Sequence, residues 1–501
     1  MEQELIRRKR EIIDICLKNG ILISAESLKR IKDEQHLIKI SESIKTRKIE
    51  NDGEIDFDKL IAGDNSKTII QETEQPKKLN IFAKTNIIYS YTDEPKKREP
   101  QDFADYLNNR YRALEKILKQ RQELKNTISI GKIPNKKDKE NSSIIGMVND
   151  KRYTKNGNLM LLLEDPTGIK KVIVNKNKPS LFNEAQDIVL DEVIGVVGVS
   201  FDTVIFANNI LWPDVPTNKE LKKYGEEKYV VFLSDLHVGS SKFLPEDFEK
   251  FLKWINGELG NEQQKHIAKN VEHVFIAGDL VDGCGIYPEQ DKELTTKDIY
   301  QQYKDCAALL NQIPKHIPLI ICPGNHDALR ISEQQPPLSK EYAKPLHEMN
   351  NVLMVSNPSM ININSTSNFS GFDVMMYHGY SFDYFIAGVD SLRNQGGYDR
   401  VDLIMKFLMK RRHLAPTHKS TLYIPDVKKD PLVIEKIPDF FLSGHIHKSA
   451  IANYRNTTLI CGSCWQSKTI FQEKVGHNPE PSRVPVVNLK TRDVKILKFG
   501  Q

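Results

Sequence analysis

The chain has 501 residues, 39% of them hydrophobic and 28% charged, enough for roughly two to four domains with sizeable cores. That balance excludes a wholly disordered, fibrous or membrane-embedded protein. Lysine plus arginine number 72 against 67 for aspartate plus glutamate, so net charge does not announce nucleic acid and any basic surface must be local.

The first ten residues (MEQELIRRKR) lack the apolar stretch of a signal peptide, and no run approaches bilayer-spanning length. Cys16, Cys284, Cys306, Cys322, Cys461 and Cys464 are too few and too scattered for a disulfide scaffold. These features predict a reducing, cytoplasmic compartment and no membrane partner. Over residues 1–45, Ile12, Ile13, Ile15 and Cys16 fall at helical spacing before Gly20. Ser24 or Ser27 can then cap a second helix through Leu28 and Ile31, so this part reads as a small helical module. Residues 46–99 are polar, as in Glu72-Thr73-Glu74-Gln75-Pro76-Lys77-Lys78, and read as a flexible linker with a short docked segment around Ile81–Tyr91.

Pro100 starts a strong helix. Phe103, Leu107, Tyr111, Leu114, Ile117 and Leu118 share one face, and Arg110, Arg112, Lys116 and Lys119 are among the other positions. The pattern predicts a packing helix with a solvated basic flank. The period then changes. Ile144–Val148, Leu159–Glu164, Lys170–Val174, Glu192–Val199 and Val204–Ile210 are short runs of Ile, Val and Leu, punctuated by Asn156-Gly157 and Asp165-Pro166-Thr167-Gly168. Five such strands predict a small barrel, of which the OB-fold is one type, so 100–215 forms one unit. Lys151, Arg152, Tyr153 and Lys155 offer a modest single-strand-binding surface on one hairpin, and a purely structural barrel is the other reading.

Leu211–Lys228 is charge-dense, contains two prolines and marks a boundary. Beyond it, Val230–Leu233, Val274–Ile276, Leu319–Ile321, Val374–Tyr377 and Phe440–Leu442 are apolar strand candidates, with helical stretches near 247–258, 295–312 and 400–412. This alternation predicts α/β layers with a sheet buried on both faces over 228–501.

The residues that end these strands carry the chemistry. Ser234-Asp235-Leu236-His237, Ala277-Gly278-Asp279, Pro323-Gly324-Asn325-His326-Asp327, Tyr377-His378-Gly379 and Ser443-Gly444-His445-Ile446-His447 each follow one strand. Residues i and i+2 of an extended segment point the same way, so Asp235 with His237, and His445 with His447, can aim at common points. Ligands of open α/β sheets collect at the carboxyl ends of strands, where five such turns can converge. Imidazole, carboxylate and amide donors suit Mn²⁺, Fe²⁺ or Zn²⁺, with Mg²⁺ a further option, and Asp279 is the natural bridge between two ions. Two such ions clamp the attacking and leaving oxygens of a displacement at phosphorus. The other eight histidines (His36, His266, His273, His316, His347, His413, His418 and His477) read as hydrogen-bonded structural residues.

The series Asp-x-His, Gly-Asp, Gly-Asn-His-Asp, His and Gly-His-x-His resembles the calcineurin-like metallophosphoesterase superfamily over about residues 228–470. The resemblance implies that Asp235, His237, Asp279 and His447 hold one metal and Asp279, Asn325, His378 and His445 the other. It makes His326 a non-ligand that stabilises the transition state or protonates the leaving oxygen. Arg411-Arg412-His413-Leu414-Ala415-Pro416, Trp465-Gln466-Ser467, Asn478-Pro479 and Arg483-Val484-Pro485 are similar to the small subunits of archaeal family-D DNA polymerases. The order of parts agrees: an N-terminal helical module, an all-β OB-fold barrel, then an α/β calcineurin-like phosphoesterase sandwich of layered mixed sheets. That likeness implies a proofreading 3′→5′ exonuclease whose partners are a large polymerase subunit and the DNA primer 3′ end, with a sliding clamp as a further candidate. A non-catalytic assembly subunit and another metal-dependent phosphoesterase are the alternatives. Cys461-Gly462-Ser463-Cys464 has the spacing of a redox or zinc pair but, with no second pair, reads as small-residue packing. Arg330 and Gln334-Gln335-Pro336-Pro337 form a candidate loop over the site, with Arg330 either a phosphate contact or a surface residue.

Overall fold

Strands covered on both faces read as near-continuous apolar runs, and Tyr229–Leu233 (YVVFL) is buried at all five positions. In the computed structural model the described residues are 81–92, 96–133, 139–474 and 476–500. The helical module expected over 1–45, and the linker up to residue 80, lie outside them.

In chain order the described part opens with strand β1 (Thr85–Ser90) and helix α1 (Pro100–Leu118). Strands β2 (Glu140–Tyr153), β3 (Leu159–Asp165) and β4 (Gly168–Val174), helix α2 (Pro179–Gln186), and strands β5 (Val193–Phe201) and β6 (Val204–Leu211) follow. These five strands close into a barrel in the order β2-β3-β4-β6-β5. Its interior takes alternate residues, such as Leu159, Leu161 and Leu163 of β3 and Val172 and Val174 of β4, which all pack in one core. Each of the five apolar runs of 125–215 falls on one of these strands. Two of the three hairpin cations are already engaged: Lys151 Nζ donates to Ile188 O at 2.7 Å, and Arg152 pairs with Asp150 at 3.4 Å.

The rest of the chain continues through β7 (Tyr229–Leu233), α3 (Pro245–Ile255), α4 (Glu262–Lys269), β8 (Val271–Ala277), α5 (Ile299–Leu310) and β9 (Leu319–Cys322). Next come α6 (Lys340–His347), β10 (Val352–Met354), β11 (Ser359–Ile363), β12 (Phe372–Met376), α7 (Phe382–Gly388), α8 (Asp390–Asn394) and α9 (Val401–Arg411). Strands β13 (Phe440–Ser443), β14 (Ala450–Tyr454) and β15 (Thr457–Cys461), helix α10 (Ile470–Lys474), and strands β16 (Arg483–Asn488) and β17 (Val494–Lys498) complete it. They form two six-stranded mixed sheets, β10-β9-β8-β7-β16-β17 and β1-β11-β12-β13-β15-β14. The helix–strand alternation had suggested one sheet; instead β7, β8 and β9 belong to the first and β12 and β13 to the second. Phe232, Phe275 and Ile320 of the first sheet meet Val374, Met376, Phe440 and Leu442 of the second in a shared inner layer. The outer face of the first packs Val231 and Leu233 on Phe248 and Phe251 of α3 and Tyr303 of α5. On the second, Met375 and Phe441 pack on Phe385 of α7 and Leu408 of α9. Each such buried side chain contributes about 1.5–3 kcal/mol. The docked segment expected at Ile81–Tyr91 contains β1, antiparallel to β11 with Ile87 opposite Ile361.

Helix α1 departs from its expected face. Phe103 is 39% exposed, while Tyr106, Arg110, Tyr111, Leu114 and Leu118 are buried. Arg110, expected on a solvated flank, is 1% exposed, and its Nε donates to Asp430 at 2.7 Å. The reason is a second neighbour. One stripe of α1 packs on Ile145, Met147 and Val193 of the barrel, and the stripe with Tyr106 and Arg110 packs on Tyr423 and Asp430.

Candidate metal centre

The parallel strands β7, β8 and β9 end at one edge, and their turns run side by side. The Asp235 N–H donates to Gly278 O and the His237 N–H to Asp279 O, both at 3.0 Å. The His445 N–H donates to both Asp235 carboxylate oxygens, at 3.0 and 3.1 Å, which joins the turn after β13 to the turn after β7. These segments are not extended, as the i, i+2 argument required. Asp235, His237, Asp279, His445 and His447 have φ of 53, 52, 52, 70 and 57°. Left-handed backbone costs a residue with a Cβ about 1–3 kcal/mol and persists where the surroundings over-determine it. Here it falls on five of the seven expected ligands. Gly278, at φ 82°, makes the approach between turns feasible: a Cβ there would lie 2.6 Å from His378 Nδ1 and 2.7 Å from Gly324 Cα.

All seven expected ligands meet, and His237, His378 and His445 turn an acceptor nitrogen inward. His237 Nδ1 donates to Asp282 Oδ1 at 3.0 Å and His378 Nδ1 donates to the Ala277 carbonyl at 2.7 Å. His445 Nε2 donates to Asp383 Oδ2 at 2.7 Å. With those nitrogens bearing the protons, the opposite ring nitrogens carry lone pairs in the neutral rings. Asn325 Oδ1 lies 2.9 Å from His378 Nε2 and 3.0 Å from His445 Nδ1, one acceptor facing two others. Asp279 Oδ2 is 3.2 Å from His378 Nε2 and 3.8 Å from His237 Nε2, between the two groups. His447 Nε2 is 3.0 Å from His237 Nε2 and 3.5 Å from Asp235 Oδ1. Buried lone pairs that face one another repel unless a cation or proton lies between them, so this donor set fits divalent ions. The donor atoms of Asp235, His237 and His447 lie within 4.8 Å of one another, as do those of Asp235, Asp279 and His378.

The electrostatics agree. Burial opposes the Asp279 charge, but His378 and its other imidazole neighbours outweigh it and hold the carboxyl well below the ordinary range. Burial likewise opposes charge on His378, yet the Asp279 carboxylate beside it prevails and raises the imidazole to about 10. The cluster therefore favours bound positive charge.

His326 stands at the rim. Its N–H donates to Asp279 Oδ1 at 2.8 Å and its Nδ1 donates to the Asp282 carbonyl at 2.7 Å, so Nε2 is the nitrogen left to exchange a proton. Its ring meets that of His237 edge-on at 4.7 Å, and burial pushes its pKa down. Sequence reasoning assigned no role to the residues that orient the ligands. Asp282, which also accepts from Gln466 Nε2 at 2.9 Å, lies three residues beyond Asp279, and that spacing was the signal available. Asp383 on α7 and Gln472 on α10, the latter 2.9 Å from His447 Nδ1, carry no local signal.

Several other expectations resolve on geometry. Arg330 Nη2 donates to Gln334 O at 2.8 Å, and its guanidinium sits 5.7 Å from the Tyr91 ring centroid. Gln335 Nε2 donates to Gly324 O at 3.0 Å, and Tyr89 OH donates to Gln334 Oε1 at 2.8 Å. The segment expected over the site thus ties the third turn to the residues of β1. Cys461 and Cys464 are buried free thiols. Of the eight histidines set aside, His36 lies outside the described residues; His273 bonds Thr85 Oγ1 at 3.0 Å and His413 bonds Asp430 at 2.8 Å.

Residues 230–451, which hold every turn of the site, match the family model of the DNA polymerase alpha/epsilon B-subunit. The DNA polymerase II small subunit of Methanothermobacter thermautotrophicus is 40% identical over 80% of this chain and 79% of its own length. That of Archaeoglobus fulgidus is 37% identical over 80% and 78%. The Pyrococcus furiosus protein is 38% identical over 79% of this chain and 64% of its own length. Among solved structures, the asparaginyl-tRNA synthetase of Pyrococcus horikoshii aligns over 17% of this chain and 21% of its own at 16% identity, with a TM-score of 0.16, too slight to bear on the fold. Forty per cent identity across four-fifths of both chains establishes that this chain belongs to the family of DNA polymerase II small subunits.

Proposed function

We propose that this chain is the proofreading subunit of a replicative DNA polymerase, a 3′→5′ exonuclease that acts in the cytoplasm beside a large polymerase subunit. The observation that carries the reading is the inward set of acceptors, with Asn325 Oδ1 between His378 and His445 and Asp279 Oδ2 between His237 and His378. In this reading Asp235, His237, Asp279 and His447 hold one divalent cation, and Asp279, Asn325, His378 and His445 hold the other. When bound, the cations supply Lewis acidity and positive charge for hydrolysis of a phosphodiester. Asp282, Asp383 and the Ala277 carbonyl fix the tautomers of the ligating imidazoles. His326, with Nδ1 held by the Asp282 carbonyl, delivers a proton from Nε2 to the leaving 3′ oxygen. The five-stranded barrel is read as an OB-fold that, with α1, connects this centre to the large subunit or steers the strand.

The test is a nuclease time course with Mn²⁺ on a labelled primer–template bearing a 3′ mismatch, with and without the large subunit and beside Asp279→Ala. Stepwise shortening from the 3′ end, absent in the variant, is expected. No cleavage in either setting would leave a non-catalytic assembly subunit as the function. His326→Ala should lower kcat by roughly 10²–10⁴-fold with metal content unchanged by elemental analysis; an unaltered rate would remove His326 from the mechanism.

A further inference from the structure

A row of rings leads from the donor cluster to solvent. His237 meets His326 edge-on at 4.7 Å, His326 lies 6.4 Å from Tyr287, and Tyr287 stacks on Phe471 at 5.5 Å with 26° between ring planes. Phe471 is 46% exposed and its neighbour Ile470 54%, and no residue of α10 is buried. Two large apolar side chains thus stand exposed at the edge of the site, beyond His326.

The pair is held in place. Tyr287 OH donates to Glu293 Oε2 at 3.2 Å, and the other oxygen of that carboxylate accepts from the Ile470 N–H at 3.1 Å. One buried side chain therefore sets both rings, Tyr287 by its phenol and Phe471 through the start of its helix. Gln290 secures the loop that carries Tyr287: its Oε1 accepts from the Ile286 N–H at 2.8 Å and its Nε2 donates to Asp282 O at 2.8 Å. Gln472, next to Phe471, touches His447. An aromatic pair of fixed orientation, with Phe471 exposed and Tyr287 half-buried, anchored to groups that touch the ligands and bordering His326, matches the sequence-tolerant stacking platforms on which single-stranded nucleic acids lie.

We propose that Tyr287 and Phe471 form a shelf that stacks the base of the nucleotide supplying the leaving oxygen, which in 3′→5′ cleavage is the penultimate one. The assignment rests on the exonuclease reading, because it follows from the side of the site on which His326 stands. Stacking there requires that base to leave its duplex partner, so the shelf selects unpaired ends.

The experiment uses the full chain and single-stranded oligonucleotides with either an ordinary penultimate nucleotide or an abasic tetrahydrofuran in its place. Removing the base should lower kcat/KM of the wild type by roughly 5- to 150-fold. Phe471→Ala should lose as much on the ordinary substrate and no more on the abasic one, Phe471→Tyr should restore it, and the thermal midpoint should hold because Phe471 is half exposed. Separately, 2-aminopurine at the penultimate position should be quenched on binding to the wild type and much less with Phe471→Ala. An equal loss on base removal in wild type and variant, or quenching that does not depend on Phe471, would overturn the shelf. So would loss of co-elution with the large subunit in Phe471→Ala with quenching intact, which would make the patch a protein contact. Phe471-dependent quenching with no cleavage, either by the chain alone or with the large subunit added, would uphold the shelf and refute the exonuclease reading.

Discussion

Glu333 shows what one buried group can decide. It is fully buried beneath the site, its Oε2 accepts from Tyr377 OH at 3.0 Å, and burial raises its carboxyl from 4.5 to about 7. A folded-state pKa above the unfolded one means stability that is complete below pH 4.5 and lost as pH rises through 7. Glu333→Gln keeps the oxygen that accepts from Tyr377 and removes the charge. The variant should therefore gain on the order of 2–3 kcal/mol over wild type at pH 8, shrinking towards zero at pH 5, in urea unfolding at the two pH values. An equal difference at both would show that ionisation of Glu333 carries none of it. Nothing local marks this residue: in sequence it is one glutamate in a polar loop, and its ionisation is set by burial, which the hydrogen bond from Tyr377, 44 positions away, only partly offsets.

At the scale of elements, the centre depends on turns that touch. The strands deliver Asp235, Asp279 and Asn325 to one edge, but Gly278 and Gly324 let the turns after β8 and β9 meet backbone to backbone. Gly278→Ala would place a Cβ against His378 Nδ1 at a residue already at φ 82°. It should cost about 2 kcal/mol or more and weaken Mn²⁺ binding at least tenfold, read by thermal unfolding of the metal-free protein and by titration calorimetry. Wild-type affinity and midpoint would mean that the turns have room to part. Strands such as β7 and β9 were legible because a strand buried on both faces reads as a near-continuous apolar run. Edge strands β14 and β17 were not, because half-exposed strands carry polar residues that resemble loops.

At the scale of the molecule, the barrel is bonded to the double-sheet unit through buried charge. Arg411, at the end of α9, forms an ion pair with Glu192 beside the barrel, and Glu192 also accepts from Trp212 Nε1 at 3.3 Å. Arg412 Nε donates to Ile434 O at 2.6 Å, and His413 bonds Asp430, which also holds Arg110 of α1. The Arg411–Pro416 stretch that suggested a polymerase subunit is thus a joint, used for assembly of the chain on itself. Removing one member of a buried pair strands the other, so Arg411→Met should destabilise by about 3–5 kcal/mol. Adding Glu192→Gln, which keeps the oxygen facing Trp212, should recover most of that loss. Calorimetry of residues 80–501 should show one transition in the wild type, and a barrel that melts separately in Arg411→Met but not in the double variant. Two transitions in the wild type would deny the coupling.

What the sequence determined by itself is local chemistry: apolar runs that can only be buried strands, glycine turns, and a set of imidazole, carboxylate and amide donors at strand ends. Periodicity and residue type are enough for these, since each depends on a few neighbours. The tertiary structure alone decided the division of the strands between two sheets, the burial of Arg110 and Arg411, and the left-handed backbone at Asp235, His237, Asp279, His445 and His447. It also brought Tyr287 and Phe471 together from 184 positions apart. Each of these depends on partners far along the chain, and a buried charge or a strained turn is stable only when a distant group arrives to hold it.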